Sequence, residues 1–114
     1  MSTSADVSVE LNGATVVARL RGEVDMANAA YVHDELLRSV PNDAIAMVVD
    51  LSGARYLDSA AIALLFDIAK RLGRRRQALR LVVPPASPLE RVLTLTEVHS
   101  VAPIHVSLES ALSG

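Results

Sequence analysis

The chain has 114 residues, 51% of them hydrophobic but only 3% aromatic, a formal charge of −2, and no cysteine. That length holds one domain, 1–114, and not two; the absent thiols exclude a disulfide framework, a thiolate metal centre and thiol catalysis. A charge so near neutral argues against non-specific nucleic-acid binding, and a core so poor in rings must be assembled from Val, Leu, Ile and Ala, as in a helix-covered parallel sheet. No run approaches the ~18 apolar residues of a membrane span. Met1 to Asp6 has neither a basic region nor an apolar one, so no signal peptide is expected and the chain reads as cytoplasmic.

Val7, Val9 and Leu11 alternate with polar residues, Asn12-Gly13 interrupts, and Val16 to Leu20 resumes. Asn-Gly between two such runs predicts a type I′ hairpin, whose central residues both need positive φ, with strands at about 6–11 and 14–21. After Gly22 the period changes. Ala29, Val32, Leu36, Leu37 and Val40 recur at helical spacing, and Pro41-Asn42 ends that helix. Ile45 to Val49 is continuously apolar, as in a central strand buried on both faces. Gly53 to Leu57 reads as a short loop, followed by an apolar helix from Ala60 to Leu72 with Gly73 as its C′ stop.

Leu79 to Val83 reads as a further strand. Ser87-Pro88-Leu89-Glu90 has the form of a capping box with Pro at N1, predicting a helix to about Thr96. Pro103 to Val106 is a short edge strand, and Ser107 caps a last helical turn through Leu112. The order ββαβαβαβα predicts an α/β domain. Its single mixed sheet is mostly parallel, with an N-terminal β-hairpin and helices packed on it.

In open α/β sheets, ligands and partners gather at the carboxyl ends of the strands. Those ends carry Gly22-Glu23-Val24-Asp25 and Asp50-Leu51-Ser52-Gly53, with Asp58-Ser59 at the start of the next helix. A serine there has two readings. Its hydroxyl caps free N–H groups, or it carries a phosphate that faces those N–H groups and the positive end of the helix dipole.

These three segments in this order resemble the signature of the STAS family, which includes the bacterial anti-sigma factor antagonists. The resemblance runs from the hairpin to the terminal Glu109-Ser110-Ala111-Leu112. It implies a binding switch and not an enzyme, with no cofactor. The unphosphorylated domain would capture a kinase-type anti-sigma factor and free sigma, phosphorylation of Ser59 would block capture, and a serine phosphatase would reset it. The implied partner surface takes in Asp25, Met26 and Asn28, then Ser52 and Gly53, then Tyr56, Leu57, Asp58 and Ser59, and Ile62 on the helix. A weak homodimer is compatible with this, and direct contact with nucleic acid is not expected. One departure stands out: Ala60-Ala61 replace the family's second small polar residue and glycine, setting a Cβ where a partner could approach the backbone.

Rival readings fare less well. Asp50 resembles a receiver's phospho-acceptor, but the only lysine is Lys70, on a helix, and the first strand lacks an acidic pair. His33, His99 and His105 accompany no Gly-x-Ser-x-Gly elbow, and no Gly-x4-Gly-Lys phosphate loop is present. His33 has the spacing of a core or boundary imidazole. The basic run Lys70-Arg71…Arg74-Arg75-Arg76 suits a solvated helix end, and also an acidic partner or membrane surface. The apolar first turns of helix 60–72 mean deep burial or an exposed docking patch. The alternative function is a STAS scaffold in a membrane lipid- or anion-transport complex.

Overall fold

A computed structural model describes residues 4–113. Strands β1 (Ala5–Asn12), β2 (Thr15–Val24), β3 (Ala46–Leu57), β4 (Ala78–Val82) and β5 (Ile104–His105) form one sheet in the order β1-β2-β3-β4-β5. The first pair is antiparallel and the others parallel. Three helices join the parallel strands, α1 (Ala29–Arg38), α2 (Ser59–Arg74) and α3 (Glu90–Leu95), the last with a 3₁₀ turn at Val98–Ser100, and α4 (Leu108–Ser113) follows β5. The element order is the one expected. None of these helices is long and apolar enough to cross a membrane.

Sequential strand order combined with right-handed crossovers sends α1, α2 and α3 to the same face of the sheet. Met47, Val49 and Leu51 of β3 point to that face, into a core with Val32 and Leu36 of α1, Leu65, Ile68 and Leu72 of α2 and Leu93 of α3. Val48 points the other way and meets Val17, Val82 and Ala111, with Leu108 and Leu112 of α4 packed alongside. From Ala46 to Val49 the central strand is thus buried on both faces, as its apolar run predicts, but Ile45, the first residue of that run, precedes β3 and is 60% exposed.

Several local expectations are corrected. Asn12 pairs with Thr15, so the two hairpin residues are Gly13 and Ala14. Positive φ occurs only at Gly13, the first of them, which is the requirement of a II′ turn and not of I′. The predicted loop at 53–57 is instead the second half of β3. Between Arg19 and Arg21, and again between Gly22 and Glu23, β3 fits one extra residue against β2. These bulges put Leu51, Ala54 and Leu57 into the core at a spacing of three, which no period-two reading recognises as strand.

Gly73 lies inside α2 and does not end it. The helix closes with Arg76 in the left-handed region, φ 59°, Gln77 N–H donating to the Leu72 carbonyl at 2.8 Å and Arg76 N–H to the Gly73 carbonyl at 3.0 Å. That is a Schellman closure with arginine where glycine is usual. Helix α3 starts at Glu90, later than Ser87 suggests: the Ser87 hydroxyl accepts from Leu89 N–H at 3.1 Å, making a local turn rather than a capping box. Ser107 does cap α4, accepting from Ser110 N–H at 3.1 Å.

Candidate functional site

Chain direction brings the ends of β2 and β3 side by side, Val24 opposite Leu57, and each strand then turns into a helix. The first corner is braced from within. Asn28 Oδ1 accepts from Asp25 N–H at 3.1 Å, Asn28 Nδ2 donates to the Glu23 carbonyl at 3.0 Å, and Asp25 Oδ1 accepts from Ala27 N–H at 2.9 Å. The second corner is held by Asp58. Its Oδ1 accepts from Ala61 N–H at 3.0 Å and so caps α2, while Oδ2 accepts from Met26 N–H at 3.0 Å, across to the first corner. One carboxylate therefore satisfies a free helical donor and locks two turns, 32 residues apart, into a single surface.

Ser59 is the first residue of α2 and is exposed. The capping role open to its hydroxyl is taken by Asp58, and the fold makes no described hydrogen bond with the serine side chain. Met26, whose N–H is bonded to the neighbouring Asp58, is 81% exposed at the first corner. Asp25, Met26, Asn28, Asp58 and Ser59 are thus gathered in one place, with Tyr56 exposed on the approaching strand.

The other expected surface residues fall elsewhere. Leu57 and Ile62 are buried in the core, because the bulges turn Leu57 inward and Ile62 lies on the sheet-facing side of α2. Ser52 and Gly53 lie back along β3, on the far side of its second bulge from the corner at Asp58. They line a shallow depression with Arg19, Arg21 and Asp50, and the Ser52 hydroxyl donates to Asp50 Oδ1 at 2.6 Å. Ala61 is likewise buried, so the family's missing glycine adds a methyl group to the core and not to the partner side. The apolar turns of α2 are explained by burial: Ala61, Ile62, Leu64, Leu65 and Ile68 all pack inward, leaving Ala63 outside.

A neighbouring feature escaped the sequence reading. Tyr56 and Leu57 form one wall of an apolar groove of about 300 Å³, with Pro88, Val92 and Leu95 opposite and Arg55 and Arg91 at the rim. The available signal was Leu95, an apolar residue out of phase with the buried Leu89 and Leu93 of its own segment. On the outer side of α2, Asp67 accepts from His33 Nε2 at 2.6 Å and from Arg71 Nε at 2.8 Å, tying α1 to α2. These two partners, the His33 hydrogen bond first, hold the Asp67 carboxyl below its ordinary range. His33 is thus a boundary imidazole committed to a carboxylate, as its spacing suggested. Of the basic run, Arg75 fastens the α1–β3 connection, donating to the Val40 carbonyl at 3.1 Å and Asn42 Oδ1 at 3.0 Å.

Comparison with known proteins agrees with this architecture. The chain is 28% identical over 115 residues to the anti-sigma-F factor antagonist RsfA of Mycobacterium tuberculosis, spanning 99% of this chain and 89% of that protein. It superposes on the crystal structure of an anti-sigma factor antagonist from Mycobacterium paratuberculosis with a TM-score of 0.81 at 25% identity, covering 96% and 92% of the two chains. Unphosphorylated SpoIIAA, an anti-sigma factor antagonist 17% identical, shares the fold with a TM-score of 0.75 over 95% and 94%. The STAS domain family model matches residues 6–111, nearly every residue described, and the chain belongs to that family.

Proposed function

We propose that this chain is an anti-sigma factor antagonist: a binding protein, not an enzyme, that captures an anti-sigma factor through the surface around Ser59 and is switched off when a kinase-type anti-sigma factor phosphorylates that serine. The observation that carries the reading is the division of labour at the head of α2. Asp58 does the capping, so the exposed Ser59 hydroxyl is not needed by the fold and is free to react. The name and full-length similarity of the mycobacterial relative support the choice of partner. Met26 and Tyr56 supply large exposed apolar area around the serine, of the kind that anchors an interface.

A phosphate at an exposed helix N-terminus gains only about 0.3–1 kcal/mol per charge from the dipole, less the repulsion of Asp58. Such a change leaves the fold of a domain with about 5–15 kcal/mol of stability intact. Buried in an interface without a partner, the same charge costs several kcal/mol, and ~4 kcal/mol is about a thousandfold in affinity. The switch therefore acts by spoiling one surface. Ser59→Glu and Ser59→Ala should melt within a few degrees of wild type, while only Ser59→Glu loses the anti-sigma factor. Equal affinities for the two variants, or full phosphorylation of Ser59→Ala by the cognate kinase with ATP, would overturn the reading.

A further inference from the structure

The two edges of the sheet are guarded very differently. β5 is two residues long and follows Pro103, so it offers almost no ladder to another chain. β1, at the other edge, has eight residues, pairs with β2 without a register shift, and contains no proline, lysine or bulge. Its two charges, Asp6 and Glu10, lie opposite Arg21 and Val17, on the face away from α1 to α3. Of the usual protections of a strand edge, β1 thus carries only these two carboxylates.

The backbone phase of β1 tells which residues are available. A two-residue turn makes Asn12 and Thr15 a mutually bonded pair, and the alternation runs through to Ser4, whose carbonyl accepts from Glu23 N–H at 3.1 Å. Even-numbered residues thus direct their N–H and C=O groups to β2. Ala5, Val7, Val9 and Leu11 direct theirs outward. The side chains of Val7, Val9 and Leu11 share the face of α1 to α3, and the last two remain 44% and 66% exposed.

We propose that β1 pairs antiparallel with β1 of a second copy of this chain, about a two-fold axis through Val9. In that register Val9 faces its own counterpart and Val7 faces the partner's Leu11, joining the two half-exposed apolar strips. Glu10 faces the partner's Ser8 and Asp6 the partner's Asn12, so no two carboxylates oppose each other. An axis through Ser8 would instead set Asp6 against Glu10 twice, a destabilising arrangement of like charges. The axis at Val9 also pairs nearly the whole strand, and one continuous sheet then runs through both copies.

A single strand pair sits at the weak end of protein interfaces, so the intact chain is examined by sedimentation from about 1 µM to about 1 mM. Wild type should shift from monomer to dimer, and Val9→Lys, which sets two ammonium groups at the axis, should weaken the association at least about tenfold. The register has a separate test that does not depend on that variant's folding. The chain has no cysteine, so Val9→Cys introduces its only thiol. Opposed residues of a bonded pair have Cα atoms about 5.5 Å apart, within disulfide reach, whereas two Ser8 positions in this register are beyond about 7 Å. On mild oxidation Val9→Cys should cross-link to a covalent dimer and Ser8→Cys should not. Wild type that stays monomeric throughout, including one that takes up an extended strand of another protein instead, overturns the proposal. So does a dimer unaffected by Val9→Lys, or cross-linking faster at Ser8→Cys than at Val9→Cys.

Discussion

Replacing Asp58 by alanine removes two hydrogen bonds with separable worth. Loss of the side-chain cap on Ala61 N–H costs about 0.5–2 kcal/mol, typically ~1. The bond from Met26 N–H has a charged acceptor, for which about 1.5–3 kcal/mol is usual, but its exposed position reduces that to about 1. Asp58→Ala should therefore lose about 2 kcal/mol, which in a domain of this size lowers Tm by roughly 8 °C. Asp58→Asn keeps one acceptor oxygen but turns an amide N–H₂ toward one of the two donors, and should lose about half as much. Ser59→Ala, one residue on, should stay within about 0.5 kcal/mol of wild type because its hydroxyl caps nothing. Urea unfolding with linear extrapolation, paired with calorimetry, measures all three. If Asp58→Ala proves as stable as wild type, or Ser59→Ala falls as far as Asp58→Ala, the division of labour between cap and switch is wrong.

Other expectations follow from backbone and charge. Gly22→Ala should cost at least about 2 kcal/mol in chemical denaturation, since φ is +94° and a Cβ would sit 2.4 Å from the Ser4 carbonyl oxygen. Gly73→Ala, inside α2 with open space around it, should instead stabilise by about 0.5–1 kcal/mol. Arg76→Gly should gain about 1 kcal/mol by relieving a left-handed arginine at the end of α2, read as a raised urea midpoint. The Asp67 carboxyl is lowered in the fold from its ordinary 3.8 by its hydrogen bonds to His33 and Arg71. It binds protons less readily folded than unfolded, so its contribution is complete above about pH 4 and is lost as pH falls through the lowered folded value. Urea midpoints followed from about pH 5 to about pH 2 should decline less steeply for Asp67→Asn than for wild type; parallel curves would refute the linkage.

Much of this protein is decided by local pattern. Alternation in β1, the apolar run 45–49, helical spacing from Ala29 to Val40 and the Ser107 cap each specify their element, to within a residue or two at its ends, from a few neighbouring residues, and element order with right-handed crossovers then dictates the sheet. The Asp58-Ser59 pair was legible only as a choice: at a helix start the serine could cap or carry a phosphate, and its reading as a switch came from the resemblance to the STAS family. The misjudged positions depend on partners distant in sequence. Leu51, Ala54 and Leu57 are strand residues only because β2 lies alongside to define two bulges, and burial of Leu57 and Ile62 is decided by which face meets the sheet. The end of α2 is a local exception: Gly73 stays inside the helix, and Arg76 turns left-handed as Gln77 N–H closes on the Leu72 carbonyl. Asp58, not Ser59, caps the helix, and its second carboxylate oxygen accepts from Met26 N–H, which arrives from another corner. Patterns of hydrophobicity report what one segment prefers. The bulge, the cap and the paired corners exist only between segments, and there the tertiary structure chose.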